Sequence, residues 1–166
     1  AAYDERVEGA TEFSFACDSD NLYLSAICFD PEMVNMRADV EERDGAVYGE
    51  DCVGYFFQPD PDTMTVYQIY VNPLGTVFDQ RITFDETMWY TADREWDGEY
   101  EVATKRTDNR WSVEIRIPLD QVGGDIEAVP VWRTNFRRKQ ARTGAVDDWQ
   151  VPIDYNPGTF GELVFE

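Results

Sequence analysis

Arg110-Trp-Ser-Val-Glu-Ile-Arg-Ile117 is the stretch whose reading decides the fold class. Trp111, Val113, Ile115 and Ile117 alternate without a break against Arg110, Ser112, Glu114 and Arg116. Side chains project to opposite faces at successive strand positions, so this is a strand with one face against a core and the other toward water. A one-residue slip would turn all four apolar side chains outward, so the register is strongly specified. A second stretch, Val131-Trp-Arg-Thr-Asn-Phe-Arg-Arg138, alternates in the same way with a more polar outer row. Trp132, Thr134 and Phe136 point one way, and Arg133, Asn135 and Arg137 point the other. Two guanidinium groups around one amide are costly to bury without partners. That row is therefore expected in a groove or on a sheet face that meets acidic or hydroxyl-rich groups. The alternative is a solvated face paired with some of the many carboxylates, where each pair contributes only ~0–1 kcal/mol.

The same period recurs outward along the chain. Strands are expected over 11–17, 22–29, 51–58, 65–72, 76–82, 101–106 and 159–166, in addition to the two above. Turn residues separate them: Asp18-Ser-Asp-Asn21, Pro59-Asp-Pro61, Pro73-Leu-Gly75 and Thr107-Asp-Asn109. Residues 31–49 read as a long connection with one helical turn, and 83–99 and 140–154 as polar loops. Pro118 to Gly124 reads as a short turn ended by glycine. About nine to ten short strands and no helix long enough to cover a sheet predict an all-β antiparallel β-sandwich, jelly-roll or immunoglobulin-like. With no internal repeat or linker, residues 1–166 are expected to form a single domain, with 1–10 an irregular or trimmed N-terminus. The start at Ala1-Ala2-Tyr3 fits either a mature terminus or a cut from a longer chain.

Composition narrows the chemistry. Thirty-four acidic and fourteen basic residues leave a formal net charge of −20. This argues against nucleic acid and anionic membranes, whose phosphates need clustered cations. Histidine is absent, which removes Ser-His-Asp and Cys-His catalysis and His-ligated zinc or haem. Cys17, Cys28 and Cys52 lack CxxC spacing and read as small buried hydrophobes, with a Cys17–Cys28 bridge open if their strands are neighbours. No apolar run reaches membrane-spanning length and no signal peptide stands out, so a soluble piece with no membrane insertion is expected. Trp111 and Trp132 are in phase with aliphatic neighbours and belong to the core, whereas Trp89 and Trp96 read as loop anchors. Asp18, Asp20 and Asp30 are candidate ligands for a structural calcium, a hard cation that takes several oxygens. Turn chemistry explains the same three residues. No other cofactor is expected.

The order of segments resembles the family 9 carbohydrate-binding modules and their wider group of sugar-binding sandwiches. The resemblance rests on Asp20-Asn-Leu-Tyr-Leu24, Glu50-Asp-Cys-Val53, Tyr70-Val-Asn-Pro-Leu-Gly-Thr-Val-Phe-Asp79 and Asp97-Gly-Glu-Tyr-Glu-Val-Ala103. It continues through Trp111 to Pro118, Trp132 to Arg138, Trp149 and Phe160-Gly-Glu-Leu163. The family's opening Ile-Asp-Gly segment is missing. In that family two aromatic rings clamp a terminal sugar while polar side chains bond its hydroxyls. The resemblance implies Tyr48 as one ring and Tyr155, or Trp149, as the other. It maps polar contacts onto Gln68 and Asn135 and a loop arginine onto Arg142, and it puts Gly54 where the family carries a glutamate. It also implies a secreted or cell-surface location and a domain tethered to other domains of a larger glycan-degrading or surface protein.

A pyranose offers an apolar CH face and a rim of hydroxyls, which call for flat rings and planar polar groups. Tyr48 and Tyr155 would supply the first, and Asn135, Gln68, Arg137 and Arg142 the second. Arginine also suits carboxylates, which admits a uronic acid or acidic glycan as a variant ligand. The expected function is a non-catalytic carbohydrate-binding module. Competing readings are a two-carboxylate glycosidase, a structural or adhesive sandwich whose sugar site has decayed, and a haem-binding sandwich. The last would need Met64 or Met88 with Lys105 or Lys139 as axial ligands.

Overall fold

A computed structural model of the chain describes residues 9–151 and 155–166. The expected strands form, at Thr11–Cys17 (β1), Asn21–Phe29 (β2), Cys52–Gln58 (β3), Thr65–Val71 (β4) and Val77–Phe84 (β5). Further along are Tyr90–Asp93 (β6), Glu101–Arg106 (β7), Arg110–Pro118 (β8), Val131–Gln140 (β9), Ala145–Asp148 (β10) and Gly161–Val164 (β11). Among the described residues there are thus eleven strands. The two beyond the nine read from the sequence, β6 and β10, lie inside segments expected to be loops. Each is only four residues long and pairs at a sheet edge, against β5 and β9. Four residues are too few to display a period, and it is the neighbouring ladder that makes them strands. Residues 1–8 of the expected irregular N-terminus lie outside the described residues.

All pairings are antiparallel. Four strands form one sheet in the order β1-β2-β8-β7. The other runs β10-β9-β3-β4-β5-β6, with β11 also pairing with β9. Trp111, Val113, Ile115 and Ile117 are at most 2% exposed, each burial contributing about 1.5–3 kcal/mol. They meet Val53, Tyr55, Phe57, Ile69, Val71, Trp132 and Phe136 from the larger sheet in one core. The expectation for Trp111 and Trp132 thus holds, and Trp96 packs on Tyr67, with ring centroids 5.0 Å apart.

Arg138 follows Phe136 on the inner face of β9 and joins the sheets at their edge. It is 1% exposed, and its guanidinium donates to the carbonyls of Gly9, Ala10 and Phe29 at 2.8, 3.2 and 2.9 Å. Buried Asp30 lies 3.7 Å away. A buried cation needs such partners, because unpaired it would cost several kcal/mol.

The larger sheet is covered on its outer face too, which is why every residue of β3 is buried. Cys52, Phe56, Val66, Tyr70, Phe78, Ile82 and Phe84 form a second apolar cluster with Val47 and Phe160. The connection between β2 and β3 is held down by two carboxylates. Glu50 accepts from the backbone N–H groups of Asp39 and Val40 at 2.6 and 3.1 Å, and Asp51 accepts from that of Arg37 at 2.9 Å. Asn72 adds a bond to the Val40 carbonyl at 2.8 Å.

Cys28 and Cys52 are buried, as expected, but Cys17 is exposed. In the β1–β2 ladder Cys17 faces Leu22 while Cys28 faces Thr11. The two cysteines therefore sit at opposite ends of the hairpin, out of reach of the 4.4–6.8 Å Cα separation typical of a disulfide. Neighbouring strands were necessary for the bridge, and the register excludes it.

Candidate functional site

The outer cover of the larger sheet is incomplete. It leaves a hollow of about 250 Å³ lined by Tyr48, Gln68, Tyr70, Phe78, Gln80, Arg94, Arg137, Lys139, Val146 and Tyr155. Register explains the floor. Asn135, Phe56, Gln68 and Gln80 are opposite one another across β9, β3, β4 and β5. The adjacent same-face row is Arg137, Gly54, Tyr70 and Phe78. Lacking a side chain, Gly54 leaves room for the Tyr70 ring to lie over the backbone. A Cβ there would stand 2.5 Å from Tyr70 Cε1 and 2.9 Å from Cδ1. The tyrosine thus occupies the space into which the glutamate expected from the family resemblance would project.

Two rings flank this floor. Tyr48 lies on the single turn Val47–Gly49 at the end of the anchored connection. It packs edge-on against Phe78, with centroids 5.0 Å apart, and its carbonyl accepts from Lys139 Nζ at 2.9 Å. Tyr155 packs against Phe56 at 6.2 Å and Tyr90 at 5.6 Å. Its backbone is left-handed, with φ 65°, a conformation that costs a non-glycine residue energy and persists only when its surroundings enforce it.

The polar groups divide into occupied and unoccupied. Arg137 donates Nε and Nη2 to the two oxygens of Asp148 at 2.7 and 2.9 Å. Those bonds hold its pKa above the ordinary arginine value. Tyr70 is pushed up to about 12, mainly by burial, so it remains a neutral phenol. Gln80 Nε2 donates to Gln68 Oε1. This leaves Gln68 Nε2 and Gln80 Oε1 buried without partners, a donor and an acceptor on two cross-strand neighbours that line the hollow. Buried polar atoms are nearly always paired, so two orphans in one place call for a ligand or water group that can both accept and donate.

Of the residues expected at a site, Tyr48, Gln68, Arg137 and Tyr155 come together here; Asn135, Arg142 and Trp149 do not. Asn135 is fully buried, and its amide is spent on the backbone. Its oxygen accepts from Phe136 N and Gln150 N, both at 2.9 Å, and its nitrogen donates to Gln150 O at 2.8 Å. It anchors the segment after β10. Arg142 bonds Asp30 at 2.5 Å, at the sheet edge near Arg138. Trp149 stacks on the inner-face ring of Phe136, 5.2 Å between centroids.

The acidic candidates do not converge either. Asp18 closes its turn by accepting from Asp20 N, Asn21 N and the Tyr23 hydroxyl at 2.9, 2.8 and 2.7 Å. The Tyr23 bond is the main reason its pKa falls to about 2. Asp30 lies at the other end of β2, committed to arginines. Carboxylates that do meet are Asp44, Asp79 and Asp97, but the Arg43 guanidinium lies among them, 3.7, 2.9 and 3.0 Å away. The Met/Lys haem pairs are also separated. Lys139 faces Cys52 at one end of β3, whereas Met64 adjoins the β4 end near Gln58 and Met88 lies beyond the Phe84–Tyr90 pair. Six strand residues span about 20 Å. Lys105 is on β7 of the other sheet.

Sequence reasoning missed Gln80, Lys139, Tyr70, Phe78 and Arg94. Gln80 was within reach: a hairpin folding about Pro73-Leu-Gly75 puts it opposite Gln68. Lys139 follows Arg137 by one strand period, had β9 been carried to its true end. Nothing local marks Arg94.

The architecture has known counterparts. A candidate carbohydrate-binding protein from Bacteroides uniformis superposes with a TM-score of 0.75 at 19% identity, covering 94% of this chain and 78% of that one. A family 9 carbohydrate-binding module from Caldicellulosiruptor kristjanssonii in complex with cellotriose gives 0.57 at 19% identity, covering 94% and 74%. Its complex with glucose gives 0.58 at 18%, covering 94% and 76%. No curated protein matches the sequence. The family model described as carbohydrate family 9 binding domain-like matches residues 3–163. The order of segments, the two-sheet architecture and this match agree, and the chain belongs to that carbohydrate family 9 binding domain-like family.

Proposed function

We propose that the chain is a non-catalytic carbohydrate-binding domain that receives a glycan residue in the hollow on the outer face of the larger sheet. The observation that carries this reading is the orphaned amide pair, Gln68 Nε2 and Gln80 Oε1, between two partly exposed tyrosines. A sugar hydroxyl accepts and donates at once, so one hydroxyl can satisfy both atoms, while Tyr48 and Tyr155 offer ring surface to the CH face. Cellotriose and glucose are the ligands of the two Caldicellulosiruptor structures. Among the described residues no carboxylate lines the hollow, and hydrolysis by a carboxylate pair would need two, which supports binding without turnover. Such a domain fits an accessory role in a secreted or surface protein that handles glycans.

Isothermal titration against neutral oligosaccharides, with Gln68→Leu and Tyr155→Ala beside the parent chain, tests the proposal. Each change is expected to weaken binding by about 1–3 kcal/mol. Trp89→Ala, at an exposed position outside the hollow, is expected to change nothing. Absence of binding to every glycan, or binding indifferent to both hollow variants, would leave a structural sandwich instead.

A further inference from the structure

In a chain with 34 acidic residues against 14 basic ones, the lining of the hollow inverts the balance. Among the described residues it contains Arg94, Arg137 and Lys139 and no aspartate or glutamate. Arg137 is neutralised by Asp148, which it holds in a two-pronged contact. Among the described residues, neither Arg94 nor Lys139 has a carboxylate within ion-pair distance. Lys139 instead directs its ammonium at the Tyr48 carbonyl at 2.9 Å. The Arg94 guanidinium lies 6.0 Å from the centre of the Phe78 ring, on the wall that also carries Tyr48. Two cations without a carboxylate partner that line one concavity define a local positive field there, whatever the acidity of the rest of the molecule.

From the conjunction of that field with the orphaned amide pair, we infer that the hollow selects a sugar residue carrying an anionic substituent, a uronate or a sulfated sugar. The inference rests on the carbohydrate-binding reading above and names its ligand class. The planar fork of Arg94 matches a carboxylate or sulfate edge, while Lys139 adds a compact charge without demanding one geometry. Gln68 and Gln80 would take a neighbouring hydroxyl. A neutral hexose would satisfy the amides and leave both cations without an anionic partner.

A uronate and its parent hexose differ only at the exocyclic carbon, so they form a matched pair for titration. The experiment measures affinity for oligoglucuronate against a cello-oligosaccharide of equal length, for oligogalacturonate against a galacto-oligosaccharide, and for a sulfated galactan. Each is repeated with Arg94→Gln, Lys139→Gln and the double variant. An acidic member bound at least about tenfold more tightly than its neutral partner, with the ratio falling toward unity in the double variant, is the expected result. Preference for the uronates identifies the carboxylate as the recognised group, and preference for the galactan alone identifies the sulfate. Arg94 is on the surface, so Arg94→Gln keeps a folded test available if changing Lys139 disturbs Tyr48. Equal affinity within each pair, with dependence on Gln68 and Tyr155 retained, overturns the anionic preference and leaves the carbohydrate-binding reading standing. A preference that survives the double variant also overturns it. Failure of every glycan to bind removes both.

Discussion

Gly54→Ala isolates the contact that shapes the hollow. The added Cβ would stand 2.5 Å from Tyr70 Cε1, whereas ordinary contact is about 3.5–4.0 Å, so ring or strand must give by roughly 1 Å. The ring has little freedom. It packs edge-on against Phe56 at 5.9 Å and tilted against Phe78 at 6.4 Å, and it is 5% exposed. Overpacking of this kind costs about 1–3 kcal/mol. Replacing glycine inside a strand returns about 0.5–1 kcal/mol. The net expectation is a loss of about 0.5–2 kcal/mol, read as a shift in urea midpoint at constant slope. The cause is tested by a double-mutant cycle with Tyr70→Ala. Once the ring is gone, Gly54→Ala should become neutral or stabilising, giving a coupling of about 1 kcal/mol or more. Because Tyr70 lines the hollow, the single variant should also weaken glycan binding. A Gly54→Ala protein as stable as the parent, or a penalty that persists without Tyr70, would refute the reasoning.

Two further expectations concern parts of the chain away from the hollow. Asp30→Ala removes the carboxylate shared by Arg138 and Arg142 and leaves a buried cation uncompensated. Chemical denaturation should show a loss of about 3–5 kcal/mol, and a loss below about 1 kcal/mol would mean that the carbonyl bonds of Arg138 suffice alone. For the thiols, burial pushes Cys28 and Cys52 up to about 12, so neither forms appreciable thiolate near neutral pH. A thiol reagent should label Cys17 alone in the native protein and all three cysteines in denaturant; rapid native labelling of Cys28 or Cys52 would contradict the packing.

How much of the site was legible depended on the range of the interaction that places each residue. Tyr48, Tyr155 and Gln68 follow from the order of segments, and Arg137 from strand alternation; all four line the hollow. Asn135 carries the same polar signal on the same strand face, yet its amide is consumed by Gln150. Alternation reports a direction and not what folds over it. Arg142 failed for a related reason, because its partner Asp30 lies 112 positions away. In an acidic chain no local pattern says which arginine will be claimed internally.

The alternation of apolar and polar residues determined the all-β class, the inner face of β8 and β9, and the core positions of Trp111 and Trp132, since a strand's period is a property of its own backbone. Tertiary structure decided the rest. It made strands of Tyr90–Asp93 and Ala145–Asp148, folded the β2–β3 connection over the larger sheet, and left uncovered an area where rings, amides and cations meet. These outcomes depend on which ladder lies beside which, and on Glu50 and Asp51 holding a distant segment in place. That information is distributed across the sequence and becomes physical only when the sheets close on each other.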